Sequence, residues 1–447
     1  MTNKKDIQAG YMESGYWAFE GKLGCNTMYL ITRFKKELDL KILKESLENL
    51  SRDLPLLSRR MKKGYWRDQW QVIPDFDIQK LIYLYEVDLE NFYDQAYEIF
   101  IKMQDNHITL EKEPPLKLKI FRNKSGEEKL VVFCIHHALA DGRGCFQLVE
   151  LLGKYYHSIL HRIPFTPPKN ERRMLKFVTS LNLKHVLTMF MSSLKGISQT
   201  VKMTSFKPLI KNEITKDEGN RENIERIILS EEDLKMLKNF YQDYSFTVND
   251  IVLLLTLKFM ELHNQALEKP SDYVGVALGI DLRKYLKMDF LSISNFSAME
   301  MFIVSQKDLA DLGTMKQKLQ DFKEKPIGLG FVFQFFLNSM FPIKLQKKIL
   351  DKWARDFIIK GSEIMVQTTN VGKLDDYVVP FGDLVENISF VGPSPRYGFP
   401  EISISGYKNT LTIYFTKYYD SNQINLKTKN EWNGFLEEIL LWKKKAS

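Results

Sequence analysis

The sequence predicts an α/β protein built in two halves, and three observations carry that prediction. Buried strands lead directly into helices. Residues 130–135 (LVVFCI) form a continuous apolar run, as expected of a strand covered on both faces. From Cys145 onward, Phe146, Leu148, Val149, Leu151, Leu152 and Tyr155 recur at three- and four-residue spacing, which is helical. The C-terminal region, by contrast, is a series of short strands separated by turn residues, and LTIYF (411–415) alternates cleanly. Between the two, residues 206–226 are polar, glycine-containing and without periodicity. They divide the chain into an N-terminal lobe at 1–205, a linker at 206–226 and a C-terminal lobe at 227–447.

In the first half, residues 28–34 read as a strand. Residues 40–51 follow as an amphipathic helix with Leu40, Leu43, Leu47 and Leu50 on one side. YWRDQWQVI (65–73) suits a hairpin arm, and 89–104 a further helix. LKLKIF (116–121) and the apolar run at 130 flank NKSGEE, the signature of a hairpin. Residues 142–160 are helical, and 173–196 form a long basic and apolar helix. That helix is expected to pack on the core, with a lid or membrane-contacting helix as the alternative.

In the second half, IERIIL (224–229) is a strand, and Ser230 with Asp233 forms a capping box for the next helix. TVNDIVLLLTLKFMELH (247–263) is a strongly apolar helix, with Asn249 as a simple cap or as a site residue. Residues 272–283 form a buried strand ending in Asp281 and Arg283. Residues 327–343 are the most lipophilic run, too short for a comfortable membrane span and interrupted by Gln334, Asn338 and Pro342. A core helix or pocket wall is expected there, with a membrane-surface anchor as the alternative. A last amphipathic helix is expected over 427–443.

Composition bounds the function. Hydrophobic residues make up 44% of 447, which supplies a sizeable core and excludes global disorder. Lys plus Arg is 64 and Asp plus Glu is 56, a net +8 that reads as mild and dispersed along the chain, without the basic stripe of a nucleic-acid binder. Cys25, Cys134 and Cys145 form no ligand spacing, which points to a reduced cytosolic protein and no metal site. The first ten residues lack the apolar core of a signal peptide. A cytoplasmic monomer is expected, with peripheral membrane contact left open.

The chemistry-bearing stretch is KLVVFCIHHALADGRG (129–144). His136 and His137 stand where a buried strand ends and a helix begins, a place where α/β folds put their sites. A partly desolvated imidazole there stays neutral and is a usable base. Asp141 sits at the helix N-cap, where its side chain can accept backbone N–H bonds. Gly142 and Gly144 remove side chains where something approaches the backbone. A turn histidine beside an N-cap would leave the same local pattern.

HHALADG resembles the His-His-x-x-x-Asp-Gly signature of the CoA-dependent acyltransferase superfamily, with its chloramphenicol-acetyltransferase-like fold. That superfamily includes nonribosomal-peptide condensation domains, polyketide-associated acyltransferases, wax ester synthases and alcohol acetyltransferases. VND (248–250) resembles the wax ester synthases, although Lys117 stands where they carry Trp. PFGDL (380–384) departs from the Asp-Phe-Gly-Trp-Gly of the plant members and excludes that branch. The resemblance implies two lobes, each a mixed β-sheet with flanking helices, and an active-site tunnel between them. His137 and Asp141 are then the catalytic pair, His137 as general base and Asp141 as a brace outside the proton transfer. His136 buttresses the loop, and Arg283 pairs with Asp141. VQTTNVGKL (366–374) resembles a Ser-Asn-x-Gly strand. It would turn Thr368, Thr369 and Asn370 toward the tunnel, to join the Gly142 N–H as oxyanion or substrate contacts. No cofactor is implied. Acyl-CoA or an acyl-carrier protein is the co-substrate, and a small alcohol or amine the acceptor. The mild positive charge suits such anionic carriers. A standalone peptide-condensation enzyme and a catalytically silent carrier-docking module are the alternatives.

Overall fold

The computed structural model describes residues 5–20, 24–34, 38–87, 91–103, 106–124, 129–203, 222–265, 270–286, 291–353, 365–395, 401–418, 430, 432–434, 436 and 437. Its strands are β1 (Thr27–Phe34), β2 (Ile82–Glu86), β3 (Leu116–Arg122), β4 (Lys129–His136), β5 (Glu222–Leu229), β6 (Tyr273–Asp281), β7 (Ser297–Ser305), β8 (Met365–Lys373), β9 (Val385–Val391), β10 (Glu401–Tyr407) and β11 (Thr410–Tyr418). Its longer helices include α1 (Tyr11–Phe19), α2 (Leu40–Asp53), α3 (Phe92–Lys102), α4 (Gly142–His161), α5 (Leu183–Met203), α6 (Val248–Gln265), α7 (Leu312–Glu324), α8 (Leu329–Ser339) and α9 (Ile343–Trp353).

Two mixed sheets form, one in each lobe. The first runs in the order β9-β1-β4-β3-β2, the second β7-β6-β8-β10-β11-β5. In the first, β3 and β4 are the antiparallel hairpin the sequence predicts, and Thr27 of β1 lies opposite His136 at the end of β4. α2 and α4 cover this sheet. Asp39 caps α2 by accepting from the Lys41 and Ile42 N–H groups at 2.8 and 3.1 Å, and Leu43, Leu47 and Leu50 are buried beneath it. Residues 69–72 pair with 59–62, so the Trp-rich segment is indeed one arm of a hairpin.

In the second sheet β6, β8 and β10 run parallel, with antiparallel strands outside them. Strand alternation gives this sheet two different faces. Val274, Val276, Val366, Ile402, Ile404, Ile413 and Phe415 point into a core shared with α6. On the opposite face Ser403, Ser405 and Tyr414 meet the first lobe. Ser403 accepts from the Gly392 N–H at 2.8 Å, Ser405 from the Phe390 N–H at 3.1 Å, and Tyr414 bonds the Ser389 hydroxyl at 2.8 Å. Ser230 and Asp233 make the expected capping box.

Three expectations change. The lobes are not cut cleanly at 226: β5 starts at Glu222, inside the expected linker, and β9 crosses from the C-terminal half to pair antiparallel with β1. Most of the linker, at 206–221, lies outside the described residues, as does most of the expected helix at 427–443. α6 is capped by Thr247, which trades bonds with Asp250 at 2.9 and 3.3 Å, and not by Asn249. Finally, α5 and α8 are only partly core. Their inner residues join Phe177, Leu282 and Phe296 in a small third cluster, while outer residues such as Leu183, Leu187 and Leu337 are exposed.

Candidate active site between the two lobes

β4 ends at His136, and the chain turns through Ala138, Leu139 and Ala140 into α4. The turn is held from three directions. The His137 N–H donates to the Asn26 carbonyl at 2.7 Å, and the Asp141 N–H donates to the Ser294 carbonyl at 3.1 Å. Asp141 caps α4, accepting from the Gly144 N–H at 2.8 Å.

The two histidines are kept in different tautomers. His136 is fully buried, and its Nδ1 accepts from the Ala138 N–H at 3.0 Å. Its proton is therefore on Nε2, which donates to Glu20 at 3.1 Å. Both nitrogens are used in bracing the turn. His137 is the reverse. Its Nδ1 lies 2.9 Å from Asn295 Oδ1, while the Asn295 amide nitrogen donates to the carbonyls of His137 at 2.9 Å and Ala138 at 3.4 Å. Two carbonyls can only accept, so they fix which end of the amide is nitrogen. Asn295 Oδ1 must then accept from Nδ1–H, and the lone pair of His137 is left on Nε2. The Tyr16 ring stacks on this imidazole at 3.7 Å between centroids and 15° between planes. Burial is the largest influence on His137 and lowers its pKa to about 4, against the opposing pull of its own carbonyl, Asp141 and Asn295. The ring is neutral at physiological pH.

Asp141 makes no contact of this kind. One of its oxygens accepts from Gly144 and from Arg283 Nη2 at 3.1 Å, the other from Arg283 Nη1 at 3.0 Å and the Phe296 N–H at 2.7 Å. Both oxygens are occupied. Arg283 in turn donates to Asp281, to the Ser292 hydroxyl and to the carbonyls of Ser292 and Ser294. The pair ties the start of α4 to the 292–296 segment of the other lobe. Gly144 permits the fit: a Cβ there would stand 2.9 Å from both Ala140 Cβ and the Ser294 carbonyl oxygen. Gly142 is roomier, its nearest neighbour being Val371 at 3.4 Å. At the first position of α4, its N–H has no intrahelical acceptor.

The condensation-domain family profile matches residues 12–265, more than half of the chain. The chain belongs to the condensation-domain family. No curated protein matches it by sequence. Among solved structures it is similar to a trichothecene 15-O-acetyltransferase from Fusarium sporotrichioides, with a TM-score of 0.68 at 13% identity, covering 97% of this chain and 95% of that one. It is also similar to the first condensation domain of the calcium-dependent antibiotic synthetase, with a TM-score of 0.67 at 11% identity over 98% and 97%. The epimerization domain from the third module of tyrocidine synthetase B gives 0.64 at 15% over 99% and 98%. These likenesses establish the two-lobed chloramphenicol-acetyltransferase-like fold.

The second lobe of this condensation-family chain presents its polar residues differently from the expectation. Thr368, Thr369 and Asn370 are consecutive in β8, so alternation cannot turn all three to one side. Thr368 is flanked in register by Leu278 and Ile402 on the α6 side of the sheet, where its hydroxyl is buried without a partner. Asn370 also faces α6 and donates to Asn249 at 2.9 Å. Only Thr369 faces the first lobe. Its hydroxyl lies 2.9 Å from one oxygen of Glu401, whose other oxygen accepts from Gln367 at 3.2 Å. Burial pushes the Glu401 carboxyl up to about 8, so it is largely protonated at neutral pH.

Sequence reasoning missed four residues of this site: Tyr16, Glu20, Asn295 and Glu401. The segment holding Asn295 did carry a signal, as SNFSAMEM resembles an Asn-containing strand that follows the arginine. The others carry none, being single residues more than a hundred positions from the histidines. A separate cavity of about 340 Å³ lies near Ile31, Arg33 and Tyr97, toward the opposite end of β1 from Thr27, and so away from this chemistry.

Proposed function

We propose that the protein is an acyltransferase that moves an acyl group from a thioester, acyl-CoA or an acyl-carrier protein, to a hydroxyl or amine. An O-acyltransferase of the alcohol acetyltransferase kind is the preferred form. The observation that carries the reading is the state of His137: a neutral ring between the lobes, its Nδ1 proton held by Asn295 and its basic lone pair on Nε2.

In this reading Nε2 takes the proton from the acceptor as its oxygen or nitrogen attacks the thioester carbonyl. The Asn295 bond stabilises the imidazolium that forms. The tetrahedral oxyanion needs fixed donors. The Gly142 N–H is one. Thr369 is the other, since a protonated Glu401 can donate to its oxygen and leave the Thr369 proton free to turn. Collapse expels the thiolate, which takes the proton back from Nε2. Neither an acyl-enzyme nor a metal is invoked. Asp141, Arg283 and His136 hold the turn, and Thr368 and Asn370 have no part. Family membership favours one other reading, a standalone peptide-condensation enzyme acting on two carrier-bound substrates.

Thiol release from a panel of acyl-CoAs, offered with alcohols and amines, tests the proposal. His137→Ala should lose at least roughly a hundredfold in rate with its fold intact. Undiminished release by that variant would remove His137 from the mechanism. Release only when donor and acceptor are both carrier-bound would select the condensation reading, and no release from either donor would select the silent docking module.

A further inference from the structure

Three helices gather on one outer face. α5 and α8 cross closely: a Cβ at Gly330 would stand 2.9 Å from the Ser192 backbone, and Phe190 meets Phe333 edge-on at 5.6 Å. α9 follows, and its Ile343 N–H donates to the Trp66 carbonyl at 3.2 Å, which sets the 65–66 turn beside it.

This face leaves large apolar side chains in water. Leu183, Met191, Trp66 and Met340 are 62% to 74% exposed, and Phe190 and Phe341 are exposed as well. Single exposed residues of this size are ordinary, but a contiguous set marks an interaction surface. On α9 the pattern is regular. Leu345 and Ile349 make one exposed ridge, and Lys344, Lys348 and Lys352 make the ridge beside it.

The face is also basic. Lys184 on α5 and Lys344, Lys348 and Lys352 on α9 are exposed, whereas Lys347 is drawn into an ion pair with the buried Asp68 at 2.9 Å.

We propose that this face docks on an anionic membrane surface, the helices lying in the interfacial plane with the apolar ridge in the acyl boundary and the lysines among the headgroups. Lysine stems can lie along the apolar ridge while their ammonium groups reach the phosphates, and exposed aromatic residues such as Trp66 suit the interface. None of the described helices is long and apolar enough to cross a membrane, so the contact is superficial. The face also lies close to the candidate site. Beneath it, Phe177, Met189, Leu329 and Val332 form one cluster with Leu282 and Phe296, and the Arg283 guanidinium lies 5.3 Å from the Phe296 ring centroid. The docking does not depend on the acyl-transfer reading, and its test uses no turnover.

Co-sedimentation of the full chain with phosphatidylcholine vesicles, with and without phosphatidylglycerol, decides it. Binding is expected with the anionic vesicles and should weaken as salt rises. Lys344→Gln, Lys348→Gln and Lys352→Gln combined should lower affinity on the order of a hundredfold, at about fivefold per lysine. Met191→Glu with Phe341→Glu should abolish binding while the far-ultraviolet circular dichroism stays unchanged. The proposal falls if the wild type ignores anionic vesicles at low salt. It falls equally if the variants bind as the wild type does, or if these lysines are needed for an acidic acyl-carrier protein and not for vesicles.

Discussion

Two adjacent histidines of identical chemistry are separated here by their neighbours. His136 spends both nitrogens, on Ala138 and Glu20, whereas His137 spends one, on Asn295. The string HHALADG supplies only the Ala138 N–H, and the partners that complete the difference come from positions 20 and 295. The pH profile should report the difference. With the pKa of His137 lowered to about 4, kcat/KM should stay flat on its acid side down to about pH 5. Asn295→Asp places a carboxylate against Nδ1–H and favours the imidazolium, so the acid limb should move to higher pH. Asn295→Ala leaves the ring without its anchor and should cost on the order of tenfold in rate, the worth of about one hydrogen bond. An acid limb that stays in place in Asn295→Asp would mean that Asn295 does not hold the base.

At the scale of elements, the turn between β4 and α4 is secured by a carboxylate with four hydrogen bonds. Arg283 donates two of them from the other lobe. The sequence resemblance pairs these two residues, and the structure places them in bidentate contact. It adds what the resemblance did not contain: the Phe296 N–H shares the same carboxylate, and Gly144 must lack a side chain for the segments to meet. Breaking one side of a buried pair strands the other charge, which costs about 3–5 kcal/mol. Asp141→Asn and Arg283→Ala should each destabilise on that scale in denaturant unfolding, with the double variant losing clearly less than the sum. Additive losses would show that the contact is not energetically coupled. The β8 strand teaches the opposite lesson. TTN is legible as a polar strand segment, but a period of two sends Thr369 one way and its neighbours the other, and only the partner strands decide which way is the cleft.

For the whole molecule, two titratable groups pull stability in opposite directions with pH. His137 has a folded pKa of about 4, below its ordinary 6.5, so the unfolded chain binds that proton first and stability falls as pH drops through this window. Glu401 is raised from 4.5 to about 8, so the folded protein keeps a proton that the unfolded chain has lost, and stability falls as pH rises from about 4.5 to 8. Glu401→Gln removes the second effect. Its melting temperature should decline less than that of the wild type between pH 5 and pH 8 in thermal scans, and an equal decline in both would contradict a raised Glu401.

Local elements are legible in the chain alone: the β3–β4 hairpin, α2 with its leucine face, α4 after Asp141, and the Ser230 capping box. These follow from periodicity and from side chains bonding the nearest backbone, which are interactions within a few residues. The chain also carries the motif by which the family is recognised. The tautomer of His137, the sidedness of Thr369, the insertion of β9 into the first sheet, and the gathering of α5, α8 and α9 on one face emerge only on folding. Each depends on groups distant in the chain. Hydrogen-bond direction and strand facing are set by what lies opposite in space, and no local pattern records it.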